Sequence, residues 1–434
     1  MYAWVVFKGD LWILSDERRY GMVFVGHYVD QLNHENPIIM LSNILTIVLG
    51  FLLASFGVVF QFDGELSYAS LTELWDVMRE HVKIYLLSLL TAHVSIIGLT
   101  ASAGKLKLLD QPDNNRKVHV DAKPLVGGLG IVAGVMTTML LFFPVVKYIS
   151  LMFSILLILG IGVLDDRFDI SFKFRFLAQI AATAITMNYF KGFHLHSFGN
   201  LLGFGPIETG IFVVPVTIFC VLGVINAINM IDGLDGLAGT ISLVAFSGFA
   251  FLAWLNDMPS FTLLGLTFAG ALAAFLKFNW YPSKLFMGDA GSMSLGFVLA
   301  FFSIELTQKP GGIVPPAAAL LILAVPVTDT LVVMTRRMMQ KRSPFSPDKT
   351  HMHHILFKMG LNHAGVVIVM GSLTMIFTLI AVASTALNVP DYAMFGFYMC
   401  WFAFFWISSS PEKGIYRVIG YLLKKKLPVN SEAS

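Results

Sequence analysis

The chain has 434 residues, 56% of them hydrophobic and only 13% charged, with a mean hydropathy of +0.75. A balance this apolar over this length excludes a soluble globular enzyme and puts the chain in a lipid bilayer. The net charge of +2 gives no reason to expect a nucleic-acid partner, and the two cysteines, Cys220 and Cys400, sit in apolar runs without metal-ligand spacing, as small core hydrophobes do.

Barrel-type alternation is absent, so the expected fold is all-α: a polytopic membrane helical bundle, in which every backbone polar group is satisfied within its own segment. Lys8, Asp10, Asp16, Glu17, Arg18 and Arg19 interrupt the first twenty residues, and no signal peptide is expected there. Residues 1–37 are mixed and aromatic without clear periodicity and receive no role. Apolar runs of about 20 residues predict twelve spans: 38–60, 84–103, 125–143, 149–164, 174–190, 210–229, 237–255, 262–280, 291–306, 314–334, 364–388 and 393–409. The segment 61–83 mixes charges with Leu, Trp and Val and predicts an external amphipathic helix. Four regions follow: 1–37, an extra transmembrane helix with its external segment at 38–83, a membrane domain at 84–409, and a basic tail at 410–434 carrying Lys413, Arg417 and Lys424 to Lys426. With residues 1–37 inside, 23 of the 29 Lys and Arg fall on the same side, so both termini are expected in the cytoplasm.

That parity sends five polar clusters to the cytoplasmic face. In chain order they are RKVH with PLVGG (Arg116, Lys117, His119), LDDRFDIS (Asp165, Asp166, Asp169), NAINMIDGLDGLAG (Asn226, Asn229, Asp232, Asp235), NWYPSKLFMGDAGS (Asn279, Lys284, Asp289, Ser292) and RRMMQKRSPFSPDKTHMHH (Arg336, Arg337, Arg342, His351, His353, His354). Each alone has a plain structural reading as a helix cap, a turn or a topology anchor. Asn226 and Asn229, at i and i+3 inside a span, weigh against it, because polar groups within a span are seldom idle. Together the clusters gather six acids with several cations and three histidines, a set suited to a phosphorylated substrate held through a divalent cation. Mg²⁺ takes hard carboxylate and phosphate oxygens, and Arg, Lys and protonated His offset the remaining charge. The histidines lack zinc-site spacing.

These motifs, in this order, resemble the polyprenyl-phosphate N-acetylhexosamine-1-phosphate transferases, and LDDRFDIS with HMHH resembles most the branch that uses UDP-GlcNAc and undecaprenyl phosphate. The resemblance covers about residues 84–409 and implies eleven family-like spans, with the span at 38–60 as an addition. It implies transfer of GlcNAc-1-phosphate to undecaprenyl phosphate with release of UMP, dependent on Mg²⁺ or Mn²⁺, as the first membrane step of O-antigen or enterobacterial common antigen synthesis. The enzyme would lie in a bacterial inner membrane with its site on the cytoplasmic face, among membrane lipids and as a homodimer. By the same resemblance, Asp165, Asp166 and Asp289 are catalytic and metal-binding. Asn226, Asn229, Asp232 and Asp235 line the nucleotide-sugar site, Arg342, His351, His353 and His354 hold the diphosphate or sugar, and Lys117 and His119 lie near the lipid phosphate. Two alternatives stay open: another UDP-N-acetylhexosamine or UDP-MurNAc-pentapeptide as donor, and an ion-coupled transporter in which Asp329 and Glu305 mark a path.

Overall fold

The computed structural model describes residues 3–7, 10–14, 68–110, 122–190, 192–343 and 350–409, with the backbone alone at 3–7, 10–14 and 68–78. The expected span at 38–60, Lys117, His119 and the basic tail lie outside the described residues. The chain divides into two units, Met1–Ile47 and Val48–Ser434. In the first, β1 (Ala3–Phe7) and β2 (Asp10–Leu14) pair antiparallel, Ala3 opposite Leu14 and Phe7 opposite Asp10. The all-α expectation did not include this hairpin. Its strands, AWVVF and DLWIL, are rich in the β-branched and aromatic residues that favour a pleated backbone.

The described part of the second unit is helical apart from small pairings. Its helices are α1 (Tyr68–Leu106), α2 (Gly127–Phe142), α3 (Val145–Phe168), α4 (Phe172–Tyr189), α5 (Val213–Ile231), α6 (Leu237–Leu255), α7 (Pro259–Asn279), α8 (Gly288–Thr307), α9 (Pro316–Ile322), α10 (Ala324–Met339), α11 (Met352–Lys358), α12 (His363–Ala386) and α13 (Asp391–Ser408). Strands β3 (Leu109–Asp110) and β4 (Lys123–Pro124) pair briefly below α1, and Ser197 bridges Glu208.

Each of the eleven segments expected to span between residues 84 and 409 coincides with a helix or, at 314–334, with the bent pair α9 and α10. Seven are long and apolar enough to cross a membrane: Arg79–Leu106 within α1, α3, Gly210–Ile231, α6, α7, α8 and α12. The pair α9 and α10, bent by 81°, makes an eighth if taken as one span. The chain is a polytopic membrane protein. The bend falls at Leu323, and Pro326 sits in the first turn of α10, where its missing N–H costs no hydrogen bond. From Tyr68 on, the stretch read as a separate amphipathic helix is continuous with the span after it, because no Gly or Pro interrupts the chain between Tyr68 and Val94.

Helix α8 is the axis of the unit: 89% of its most apolar stretch is buried, against 28% for α1 and for α5. Its C-terminal half packs aromatically, with Phe301 against Phe190, Phe193 and Phe261 at 5.2–5.6 Å, and Phe302 against Phe246 and Phe249. Its N-terminal turn is approached by small residues. A Cβ on Gly128 of α2 would come 2.3 Å from Gly291 Cα, and one on Gly162 of α3 would come 2.3 Å from Ala290 Cα. Helices without a hydrophobic drive between them associate through such backbone contacts. The effect is to bring the end of α3, and the acids that follow Gly162, against the start of α8.

Candidate active site

The site is assembled where α3, α5 and α7 end and α8 begins. Asp165 and Asp166 are neighbours on α3, about 100° apart around the helix, and face different partners. Asp165 accepts a hydrogen bond from Arg175 Nη1 at 2.7 Å, and the same nitrogen donates to Asp289 Oδ2 at 2.9 Å. Asp166 turns to the start of α8, where Oδ1 accepts from the Asp289 N–H at 2.8 Å and Oδ2 from the Ala290 N–H at 3.2 Å. A carboxylate there satisfies two otherwise orphaned amides and complements the helix dipole. Gly288 enters that turn at φ +75°, and a Cβ on it would stand 2.5 Å from Asp166 Oδ2. Only glycine takes that backbone without strain and leaves room for the carboxylate.

Asp289 is the meeting point. Asn229 Nδ2 donates to its Oδ1 at 2.9 Å and to Ser292 Oγ at 2.9 Å, while Arg175 holds Oδ2. The Asp289 side chain is 33% exposed and that of Asp165 only 7%, so Asp289 is the more open of the two acids. Asp232 follows α5 directly. Burial first, then the charges of Asp289, Asp166 and Asp235, push its carboxyl up to about 8. This shift favours the neutral, hydrogen-bond-donating form near pH 7. Asp235 accepts from the Ser283 N–H at 3.0 Å and lies 3.8 Å from Lys123 Nζ, which donates to Ser283 Oγ at 2.9 Å. Asn279 ties the two turns together, accepting from the Gly236 N–H at 2.8 Å and donating to Leu285 O at 2.9 Å.

The histidine segment lies on the other side of Gly233, where an added Cβ would come 3.4 Å from His353 Nε2. His351, His353 and His354 form a ring series, with centroids 5.7 Å and then 4.2 Å apart. His351 is spoken for by protein groups: Nδ1 donates to Asp329 Oδ2 at 2.8 Å and Nε2 lies 3.5 Å from Arg337 Nη2. Asp329 Oδ1 also accepts from the Met352 N–H at 2.7 Å, so one buried carboxylate fixes the start of α11. His353 is 4% exposed, its Nδ1 has no hydrogen-bond partner, and burial, with His354 beside it, pushes its imidazole down to about 3. It stays neutral at physiological pH, unlike the protonated histidine anticipated from the sequence.

Of the residues singled out in the sequence, Asp165, Asp166, Asp289 and Asn229 meet through direct bonds or a shared Arg175, and Asp232 feels their charge. Asn226 turns back to Leu222 O of its own helix at 2.7 Å. Arg342 is exposed, with its backbone N–H on Arg337 O at 2.9 Å. Three participants were not anticipated: Arg175, counted only as a topology charge, Lys123, and Asp329, considered only for a transport path.

Among the described residues, no group of three or more His, Cys, Asp or Glu side chains is gathered as a ready metal cage. A magnesium ion does not need one, since it is commonly bound through one or two carboxylates, with substrate phosphate and water completing the shell. Asp165 and Asp289 converge on a single guanidinium nitrogen with hard oxygen donors, and this donor set fits such a cation.

The family profile described as Glycosyl transferase family 4 matches residues 148–307, which contain Asp165, Asp166, Asn229, Asp232, Asp235 and Asp289. The chain is 33% identical over 267 residues to an undecaprenyl-phosphate alpha-N-acetylglucosaminyl 1-phosphate transferase of Escherichia coli O157:H7, covering 59% of this chain and 71% of the relative. It is 32% identical over 301 residues to a Yersinia pestis protein of the same description, covering 68% and 82%.

Proposed function

The chain belongs to glycosyl transferase family 4, and on that premise we propose that it transfers GlcNAc-1-phosphate from UDP-GlcNAc to undecaprenyl phosphate, releasing UMP. The observation that carries the reading is the convergence of Asp165, Asp289, Asn229 and Arg175 at the end of a membrane bundle. There a lipid-borne phosphate and a soluble diphosphate can meet. The lipid phosphate oxygen attacks the sugar-linked phosphorus, a P–O bond forms, and the bond to the UMP oxygen breaks in line with it. A phosphate monoester with a second pKa near 6 is already ionised, so the step needs alignment and charge neutralisation more than a base.

Arg175 and Lys123 bring positive charge to the two sides of the cleft. Asn229 orients Asp289, and Asp166 anchors the turn that presents it. Neutral Asp232 adds a hydrogen-bond donor without adding to the repulsion between acids and phosphates. His353, also neutral, serves as a hydrogen-bonding group beside Gly233. Asp165 and Asp289 would hold Mg²⁺, or Mn²⁺ in its place; the cation, when bound, offsets diphosphate charge and polarises the phosphorus. Lys117 and His119 belong by this reading near the lipid phosphate, and Arg342, His351 and His354 near the diphosphate or sugar, with His351 acting through the loop it anchors.

The same reading sets the protein in a bacterial inner membrane with eleven family-type spans and one more near residues 38–60, as a homodimer with its site facing the cytoplasm. The product would begin a cell-surface polysaccharide of O-antigen or enterobacterial common antigen type. The purified protein is expected to release UMP from UDP-GlcNAc only when undecaprenyl phosphate is present. UDP-GalNAc and UDP-MurNAc-pentapeptide assayed beside it test the donor: preference for the pentapeptide sinks the GlcNAc assignment, and no UMP from any UDP-sugar sinks the enzyme.

A further inference from the structure

We infer that Arg175 is a placeholder cation, holding the divalent-metal position between Asp165 and Asp289 in the ligand-free protein and leaving it when metal and diphosphate arrive together. The inference rests on the reading of those two acids as the metal's ligands. One nitrogen, Nη1, donates to Asp165 Oδ2 at 2.7 Å and to Asp289 Oδ2 at 2.9 Å, so a single positive point satisfies both carboxylates. A divalent ion bound by the same two oxygens would occupy the same space, and it and the guanidinium exclude each other by volume and by charge. Without either, two acids would face each other at the end of a membrane helix, where unpaired charge is costly.

Arg175 is placed to leave. Its side chain is 30% exposed, on the first turns of α4, in contrast to the buried Asp165 it holds. Asp289, its second partner, keeps the Asn229 bond on its other oxygen and stays in place when Arg175 departs. The freed guanidinium can take phosphate oxygens in a two-pronged grip. Metal and diphosphate therefore each remove an obstacle to the other: the metal displaces Arg175 from the acids, and the diphosphate gives Arg175 somewhere to go. Their binding is positively coupled, and by linkage the coupling is reciprocal. The free protein holds metal weakly, which keeps the acids from capturing a cation that has no substrate to act on.

The test is Mn²⁺ binding to the purified full-length protein, followed by electron paramagnetic resonance with and without UDP. Wild type is expected to bind Mn²⁺ alone weakly and about tenfold or more tightly with UDP. Arg175→Gln is expected to bind Mn²⁺ alone at least about tenfold more tightly than wild type, since an opposing charge-assisted bond is gone, and to gain little from UDP. Arg175→Lys, which keeps the charge, should bind Mn²⁺ alone as weakly as wild type but gain less from UDP, lacking the guanidinium fork, and Asp289→Asn should lose the ion in every case. Thermal unfolding gives a second readout: Arg175→Gln should melt below wild type without metal and recover with Mn²⁺. Mn²⁺ affinity in Arg175→Gln equal to or weaker than wild type, including absence of binding in both, overturns the inference. Failure of every UDP-sugar to turn over, with the affinity difference present, would instead overturn the proposed reaction and leave this one standing.

Discussion

Replacing Asp329 by Ala tests how far the histidine segment depends on one carboxylate. Asp329 is 1% exposed and accepts two hydrogen bonds, from His351 Nδ1 at 2.8 Å and from the Met352 N–H at 2.7 Å. Truncation leaves both donors buried and unmatched, at about 1–3 kcal/mol each, so docking of the segment weakens by about 2–6 kcal/mol. At 1.4 kcal/mol per factor of ten, kcat/KM for UMP release is expected to fall by at least about tenfold. Asp329→Asn keeps an acceptor for Met352 but turns an NH₂ toward His351, forcing the tautomer whose Nε2–H meets Arg337. It should fold, melt above the Ala variant and still lose activity. The assay is UMP release from UDP-GlcNAc and undecaprenyl phosphate in detergent, read beside thermal unfolding. If the Ala variant melts as wild type and stays within twofold of its kcat/KM, Asp329 does not position the segment.

Asp289→Asn should insert in the membrane and fold but lose turnover, and near-normal rates at saturating Mg²⁺ would remove Asp289 from the metal site. Gly128→Val should cost most of the folded protein, because its side chain would meet Gly291 backbone already in contact, an overpacking of about 1–3 kcal/mol or more; detergent-extracted yield measures it. Asp232, raised to about 8 in the fold against about 4 in an unfolded chain, binds more protons folded than unfolded between those values. Its contribution to stability is therefore full below about pH 4 and lost as pH rises through about 8. Wild-type melting should fall relative to Asp232→Asn between pH 6 and pH 9, and parallel curves would refute the shift.

What could be read from the sequence followed the price of polarity in a membrane. Asp165, Asp166, Asn229 and Asp289 stood out because they interrupt apolar runs at their edges, and the structure brings those residues together. Their division of labour was hidden, since adjacent letters say nothing of the 100° that separates a charge facing Arg175 from one capping α8. Arg175 escaped notice inside the stretch Phe172 to Phe176, where it and Lys173 at a span's mouth look like anchors. Asp329 was conspicuous as an acid inside a span, but its partner lies 22 residues on, past the end of α10, a separation no local pattern announces. The bend had a signal in Pro326, which falls in the middle of the expected 314–334 span where a proline breaks or kinks a straight helix, but the apolar run was read straight through it. The β1–β2 hairpin went unseen because its residues read as aromatic without period.

The length of α1 has a consequence of its own. Its 39 residues form one rod of about 58 Å at 1.5 Å per residue, whereas a bilayer with its headgroups is about 40–45 Å thick. Its Leu106 end adjoins the strand pair beside the site, through Leu125 N–H to Leu108 O at 3.0 Å. Upright or modestly tilted, the rod must therefore carry its Tyr68 end past the headgroups on the opposite side. It is a stiff mast rooted beside the candidate site, so a load applied to its far tip would be felt as a lever at the β3–β4 corner.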